Sequence, residues 1–271
     1  MKAATREPRL CVLRGGGDLA TGIAWRLTRA GWPVVVCELA APLSIRRTVA
    51  VSSAVTEGTF EVEGMRAVLA PDEEAAEAIA ADGTVGVLVA PELPALDADV
   101  VIDARLAKRN IDTTVGDAPL VIGLGPGFSA GVDCDAVVET KRGHHLGRVL
   151  WSGSAAPDTR TPGAIDGRSV ERVVRAPAPG SVTWRAAIGD LVEPGQLLGD
   201  VAGTAITAPF AGVVRGLIAE QVPLATEMKI GDVDPRSDRA ACHEISDKAL
   251  AIAGGVVEAV LTRSRLGWPS R

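Results

Sequence analysis

Residues 10–38 read LCVLRGGGDLATGIAWRLTRAGWPVVVCE, and this stretch predicts a strand, a helix and a second strand. The apolar run Leu10–Leu13 is typical of a buried parallel strand, because such a strand is covered on both faces. Apolar residues then recur at helical spacing over Leu19–Ala30, and Gly31 stands where a helix commonly ends. Pro33–Glu38 predicts the second strand. Together these elements form one strand–helix–strand unit.

The glycine-rich turn of this unit has the spacing Gly15-x-Gly17-x-x-Ala20, after a strand and before a helix. Gly15 allows a tight turn, Gly17 lets a pyrophosphate approach the backbone, and Ala20 lets the helix lie close to the strand. Free N–H groups and the helix dipole favour an anion there. Glu38 ends the second strand, where a carboxylate can accept from a ribose hydroxyl. The pattern predicts nucleotide binding through residues 15–17 (including Gly16) and Glu38; a purely structural turn is the alternative.

Charged residues near the glycine-rich turn affect which ligand groups could bind there. Asp18 would bring a negative charge close to any phosphate, whereas Arg46 and Arg47 are candidates to bind a 2′-phosphate. Another charged segment follows an apolar strand, and in it Asp103 and Lys108 are candidates to orient or bind an anionic substrate. The alternative for that segment is a solvated loop with local ion pairs.

A second glycine-rich loop, Gly123–Gly127, follows another apolar strand. Successive N–H groups around Gly125 and Gly127 can form an anion-binding nest. A tight strand exit that needs positive φ explains the same residues equally well. Both glycine loops are expected at the carboxyl ends of parallel strands, where open α/β sheets bind ligands.

The rest of the first half continues the alternation of strands and helices. A helix is predicted over 71–81, and strands over Val49–Val55, Thr59–Val68, Val85–Val89, Val100–Ile102 and Leu120–Leu124. This pattern predicts an α/β protein with a Rossmann-like, doubly wound, mostly parallel sheet over residues 1–170.

The residue pattern changes from Ala176 onward, where glycine and proline interrupt short apolar runs. Such spacing predicts a small all-β barrel-sandwich module over residues 171–222. In the C-terminal segment, 223–271, a helix is predicted over Ile245–Leu261, with Ser246 as its cap and its body packing on the first domain. The pair Gly254-Gly255 marks either close packing or a break in that helix.

The composition of the chain limits the classes of function that are expected for it. The chain has 271 residues, a formal net charge of −6 and 47% hydrophobic residues. An acidic chain without long basic runs is not expected to bind nucleic acid. No apolar run is long enough for a signal peptide or a membrane span, so a cytoplasmic protein without a membrane partner is expected. A homo-oligomer is compatible with these features.

The spacing of the cysteines and the absence of several catalytic motifs argue against further types of site. The four cysteines are scattered without a C-x-x-C pair, so neither a disulfide framework nor a metal site is predicted. The sequence lacks H-E-x-x-H, G-x-S-x-G and P-loop motifs, which disfavours hydrolytic triads and Walker-type NTPases. If sulfur or selenium is handled, Cys134 and Cys242 are the thiols outside the predicted strands.

Several motifs jointly resemble the YqeB family, named for the selenium-dependent molybdenum hydroxylase system. The resemblance spans nearly the whole chain and rests on residues 15–22, 45–48, 103–108, 122–128, 139–144, 229–236, 245–249 and 253–258. It implies a role in the maturation of a molybdenum hydroxylase, with that enzyme or its maturation proteins as partners. It does not imply a particular reaction.

The segment from Ala176 to about Leu217 is also similar to biotinyl/lipoyl-type barrel-sandwich modules, through Gly189-Asp-x-Val192 and Ala208-Pro-x-x-Gly-Val213. Those modules carry a lysine on an exposed hairpin. The equivalent hairpin near Val201–Thr204 has no lysine, so covalent biotin or lipoate attachment within the module is excluded by chemistry.

Three functional hypotheses remain at this point. The leading one is an accessory protein that binds a nucleotide or the molybdenum cofactor through its glycine loops, because a pterin-dinucleotide cofactor also carries a pyrophosphate. The alternative is an NAD(P)-dependent oxidoreductase, although the chain contains no tyrosine and no evident catalytic set. The third is a scaffold whose glycine loops are purely structural.

Overall fold

The computed structural model describes residues 10–159, 167–168 and 170–266. Its helices are α1 (Asp18–Arg29), α2 (Ala54–Glu57), α3 (Glu73–Ala81) and α4 (Asp247–Leu266). The strands of the first half, in chain order, are β1 (Leu10–Arg14), β2 (Val34–Glu38), β3 (Thr59–Val62), β4 (Met65–Leu69), β5 (Val85–Val89), β6 (Ala98–Asp103), β7 (Leu120–Leu124), β8 (Ser129–Ala130), β9 (Ala136–Val138), β10 (Val149–Leu150) and β11 (Gly153–Ser154). None of the described helices combines the length and apolar character that a bilayer crossing requires.

Nine of these strands form one sheet in the order β10-β9-β7-β6-β1-β2-β5-β4-β3. All neighbouring pairs are parallel except the two at the edges, β3–β4 and β9–β10. The mixed α/β class and the mostly parallel sheet are therefore confirmed, while the Rossmann-like, doubly wound description stays a prediction. Because β1, β2, β6 and β7 are parallel, the loops that follow them meet at one edge of the sheet.

Alternate residues of β1 belong to two different layers. Cys11 and Leu13 pack with α1 and α4 on one face, and Leu10 and Val12 pack with α3 on the other. This alternation follows from the two-residue period of a strand, and it explains why the whole run is apolar. The first predicted unit, strand–helix–strand, is thus confirmed.

Helix α4 begins as predicted and runs further than predicted. The Ser246 hydroxyl accepts from the Ala249 amide at 3.1 Å, which confirms the cap. A Cβ added at Gly255 would overlap the carbonyl oxygen of Gly147, whereas one at Gly254 would meet nothing within 4 Å. Gly255 therefore marks close packing on the first domain, and α4 continues through both glycines without a break.

The two adjacent glycines of α4 are expected to respond oppositely to alanine. Gly254→Ala should raise the free energy of unfolding by up to about 1 kcal/mol, because alanine has the higher helix propensity and the site is open. Gly255→Ala should lower it by about 1–3 kcal/mol, because the new methyl group meets backbone. Urea unfolding of both variants measures the difference; equal effects would contradict the packing described for α4.

The second half contributes a separate set of antiparallel strands. They are β12 (Val173–Arg175), β13 (Val182–Trp184), β14 (Leu191–Val192), β15 (Leu197–Val201), β16 (Thr204–Thr207), β17 (Gly212–Leu217) and β18 (Lys229–Asp234). Two sheets, β12-β18-β17-β14 and β13-β15-β16, enclose their own apolar core. We call residues 173–234 the β module. The hairpin at Val201–Thr204 is confirmed.

The β module does not end at residue 222, where the sequence-based boundary was drawn. Strand β18 pairs with both β12 and β17, so residues up to Asp234 belong to the module. The module is attached to the first half through the segment after β2, where the Leu217 amide donates to the Ile45 carbonyl at 2.9 Å. Its identity as a biotinyl/lipoyl-like fold stays a prediction.

The predicted strand over Val49–Val55 is wrong. This segment forms two short 3₁₀ turns followed by α2. The Val51 amide donates to the Thr21 hydroxyl at 2.9 Å, and the Ser52 amide donates to the Gly16 carbonyl at 3.0 Å. Since these groups bond to the glycine turn and to α1, they are not available to a neighbouring strand.

Candidate functional site

A cavity of about 1400 Å³ lies at the carboxyl edge of the large sheet. The loops after β1, β2, β6 and β9 line it, and the β module contributes Arg215 and Lys229. The start of α4, with Ser246 and Lys248, contributes a third side. The cavity therefore exists only because three distant parts of the chain meet.

The first two glycines of the turn are required by the fold. Gly15 has φ +95°, and its amide donates to the Cys37 carbonyl at 2.8 Å. A Cβ added at Gly15 would lie 3.1 Å from the backbone of Arg105, and one added at Gly16 would lie 3.0 Å from the Ser52 amide nitrogen. Both positions are crowded by backbone, so their glycines have a structural reason.

Gly17 differs from Gly15 and Gly16. Its φ is −67°, which any residue adopts, and an added Cβ would find only the Ser44 hydroxyl, at 3.7 Å. Gly17 lines the cavity and stands at the N-terminus of α1, which has no side-chain cap. Among the described residues, no partner accepts from the amides of residues 17–20. The protein itself thus gives no reason for a glycine here, whereas an approaching anion does.

Glu38 lines the cavity and also holds the turn. Its carboxylate accepts from the Gly16 amide at 2.8 Å and from the Leu39 amide at 2.7 Å. A carboxylate has about four lone-pair positions, so two remain for a ligand hydroxyl. The residue can therefore serve both the structural role and the predicted ribose contact.

The two arginines predicted to bind a 2′-phosphate lie in different places. Arg46 lines the cavity and pairs with Asp18 at 3.2 Å, so the negative charge of Asp18 is partly offset. Arg47 instead donates through Nε to the Leu217 carbonyl at 2.7 Å and lines a separate cavity of about 850 Å³. Arg47 therefore connects the two halves of the chain, away from the glycine turn.

Asp103 is buried below the cavity and does not line it. Its carboxylate accepts from the Thr113 hydroxyl at 2.7 Å and from Arg105 Nη2 at 2.5 Å, while Arg105 also pairs with Asp112 at 2.7 Å. Burial alone would lower the pKa of Arg105, but the hydrogen bonds to Asp103 and Asp112 raise it above its usual value. Buried Arg14 completes the network through Asp112 and Thr113.

Lys108 follows this network and lines the cavity. Both it and Leu106 have positive φ, +63° and +53°. Two such residues within three positions are uncommon for non-glycine residues, and the strain implies that surrounding contacts hold the loop in this shape. The loop therefore carries the Lys108 side chain to the edge of the cavity.

The second glycine loop contributes little to the cavity, which only its Pro126 lines. The Gly125 amide donates to the Val138 carbonyl at 2.9 Å, and a Cβ there would overlap the Thr140 hydroxyl. Gly127 has φ +108° and packs on the backbone of Arg109. These contacts favour the structural explanation for Gly125 and Gly127, which the sequence left open.

The cysteines offer no reactive thiol in this conformation. All four are free and buried. Burial raises the pKa of Cys37 to about 12 and that of Cys134 to about 11, and it also raises the pKa of Cys242. A thiol with a raised pKa is a poor nucleophile. The described residues also contain no cluster of three or more His, Cys, Asp or Glu side chains that could hold a metal ion.

Lys248 is the main cavity residue that sequence reasoning missed. It is half-buried at the start of α4, and burial together with nearby Lys108 and Arg142 lowers its pKa. Lys141, Arg142 and Lys229 line the cavity as well. Each belongs to a motif that carried the family resemblance, but nothing in those motifs indicates that the side chains meet.

No model of a known protein family matches the chain. The uncharacterized protein YqeB of Escherichia coli (strain K12) is 44% identical over 256 residues, which cover 93% of this chain and 47% of YqeB. The chain thus spans about half the length of this curated relative.

Two solved structures show only a distant likeness. An aspartoacylase family protein from Mesorhizobium loti is 12% identical, with a TM-score of 0.28 over 84% of this chain and 85% of its own. A succinylglutamate desuccinylase/aspartoacylase from Rhodobacter sphaeroides is 15% identical, with a TM-score of 0.27 over 85% and 88%. Likeness at this level supports no statement about fold or reaction. The similarity to YqeB, in contrast, extends over nearly the whole of this chain at 44% identity.

Proposed function

We propose that this chain binds a phosphate-bearing ligand, a nucleotide or the molybdenum cofactor, in the cavity beside Gly17, and that it serves as an accessory protein in the maturation of a molybdenum hydroxylase. The observation that carries the ligand class is Gly17 itself, an uncrowded glycine at an uncapped helix N-terminus inside a large cavity. The maturation role rests on the resemblance to the YqeB family. The Rossmann-like description of the sheet belongs to the same proposal.

The charge of the cavity supports an anionic ligand. Ten basic and six acidic side chains line it, although the whole chain carries a net charge of −6. A cavity with walls of low dielectric concentrates the field of such an excess. An anion is therefore attracted to this part of an otherwise acidic protein.

The residues fit the phosphate-bearing part of a pterin-dinucleotide cofactor, because its pyrophosphate suits the open amides of α1. They offer no thiolate to molybdenum, since all four cysteines are buried. In this proposal the chain holds the cofactor by its phosphate end and leaves the metal to the cofactor's own ligands. Sulfur or selenium transfer through Cys134 or Cys242 is not part of the proposal.

An NAD(P)-dependent oxidoreductase is the second candidate, and the observation that favours it is Glu38. This residue lies in the cavity at the end of β2 with two lone-pair positions left for a ribose hydroxyl. The absence of tyrosine from the sequence removes one common proton donor of such enzymes.

A thermal-shift panel of NAD, NADP, CTP, ATP and isolated molybdenum cofactor tests both candidates. A ligand at 100 times its Kd stabilises the native state by about 2.7 kcal/mol, which raises the midpoint by several degrees. Stabilisation by molybdenum cofactor supports the accessory role, and stabilisation by NAD or NADP alone supports the oxidoreductase. If none of the five raises the midpoint at millimolar concentration, ligand binding in this cavity is refuted.

A further inference from the structure

Every lysine that the structure describes lines the large cavity. They are Lys108, Lys141, Lys229 and Lys248, and they come from the loop after β6, the loop after β9, the start of β18 and the start of α4. Lysine is scarce in this chain, since only five of its 28 basic residues are lysines. Four separate segments therefore bring the described lysines to one place.

The arginines of the same cavity are engaged with the protein's own carboxylates. The pairs are Arg14–Asp112, Arg46–Asp18, Arg105–Asp103, Arg142–Asp247, Arg172–Asp232 and Arg215–Asp234, at 2.5–3.3 Å. None of the four lysines lies within ion-pair distance of a carboxylate in the part of the chain that the structure describes. The arginines of the cavity thus have carboxylate partners, and the lysines are its cations without a carboxylate within ion-pair distance.

Lys248 is the least exposed of the four lysines. The charged groups that act on it are Lys108, Arg142, Asp18 and Glu139. Neither acid is free, because Asp18 pairs with Arg46 and the Glu139 carboxylate accepts from the amides of residues 141 and 156. A half-buried ammonium among other cations is unfavourable on its own, and a bound anion removes that cost.

We propose that Lys248 and Lys108 together bind a phosphoryl group of the ligand, on the side of the cavity formed by the start of α4. This inference rests on the proposed function, and it assigns the direct cationic contacts that the glycine turn lacks. A compact ammonium binds phosphate as a point charge, whereas the planar fork of arginine recognises carboxylate and phosphate alike through paired hydrogen bonds. Since the six cavity arginines named above are already paired, the lysines are the cations left to contact the phosphoryl group of the ligand that the proposed function assigns to the cavity.

Calorimetric titration with inorganic pyrophosphate tests the assignment, with citrate as a carboxylate probe at matched ionic strength. We expect Lys248→Gln and Lys108→Gln each to weaken pyrophosphate binding by about tenfold or more, because a charge-assisted contact is lost. Lys248→Arg should restore part of the affinity. Arg26→Gln, which removes one exposed charge on α1 outside the cavity, should change the affinity less than about twofold.

Unfolding without ligand separates binding from structure. Lys248→Gln should leave the free energy of unfolding unchanged or raise it, because an uncompensated ammonium is removed; a loss of stability would indicate a structural role and overturn the assignment. Equal or tighter binding of citrate would overturn the choice of phosphate. If the unaltered protein binds pyrophosphate tightly, Gly17→Val abolishes that binding and Lys248→Gln does not weaken it, this inference alone is refuted. If the unaltered protein does not bind pyrophosphate, the proposed function is refuted together with this inference.

Discussion

Replacement of Asp103 by alanine is expected to lower the free energy of unfolding by about 3 kcal/mol, because it breaks the ion pair between this buried carboxylate and Arg105. Asp103 is 2% exposed and accepts hydrogen bonds from both Arg105 and Thr113. Arg105 keeps its bond to Asp112, so the loss falls at the lower end of what breaking a buried ion pair costs. Chemical denaturation monitored by tryptophan fluorescence measures it.

An exposed ion pair of the same residue types provides the control. Asp247 pairs with Arg142 at 2.8 Å, but its side chain is 75% exposed. Asp247→Ala should cost less than about 1 kcal/mol, because water screens the interaction. Similar losses in the two variants would contradict the structural role assigned to Asp103 and reopen its interpretation as a ligand contact.

Gly17→Val is expected to abolish ligand-induced stabilisation while leaving the protein folded. A Cβ added at Gly17 would meet only the Ser44 hydroxyl, at 3.7 Å, so the position has room for a larger residue, and valine at the cavity would cover the open amides of α1. Valine is a poorer N-cap than glycine, so a loss of about 1 kcal/mol in stability is expected. The thermal shift with whichever ligand of the panel stabilises the unaltered protein is the measurement.

Gly116→Val is a matched control for Gly17→Val. An added Cβ at Gly116 also has a single neighbour, the Thr114 hydroxyl at 3.7 Å, but Gly116 does not line the cavity. Its ligand-induced shift should equal that of the unaltered protein. A full shift in Gly17→Val would remove the glycine turn from the binding site, whatever the behaviour of the control.

The β module contributes the buried residue Arg215 to the cavity. Arg215 is buried at the cavity, pairs with Asp234 at 3.3 Å and approaches Arg46 of the first half. Burial and the charge of Arg46 lower the pKa of Arg215. Two arginines brought together from different halves repel each other, and an anion between them would relieve that repulsion.

Local pattern was sufficient for several elements. The apolar run of β1, the glycine turn, the periodicity of α1 and the cap of α4 at Ser246 each depend on residues within one or two turns of chain. The hairpin at Val201–Thr204 is of the same kind. The resemblance to the YqeB family was also accessible from sequence, and the 44% identity supports it.

The sequence by itself determined the strand–helix–strand start, the mixed α/β class and the absence of an attachment lysine in the module's hairpin, because each follows from propensity, periodicity or chemistry within a short segment. Only the tertiary structure decided that Gly17, and not Gly125, is the uncrowded glycine, that Asp103 is internal, and that Lys108 and Lys248 face one cavity. The physical reason is that crowding, ion pairing and convergence are contacts between residues far apart in sequence, such as the 140 positions between these two lysines.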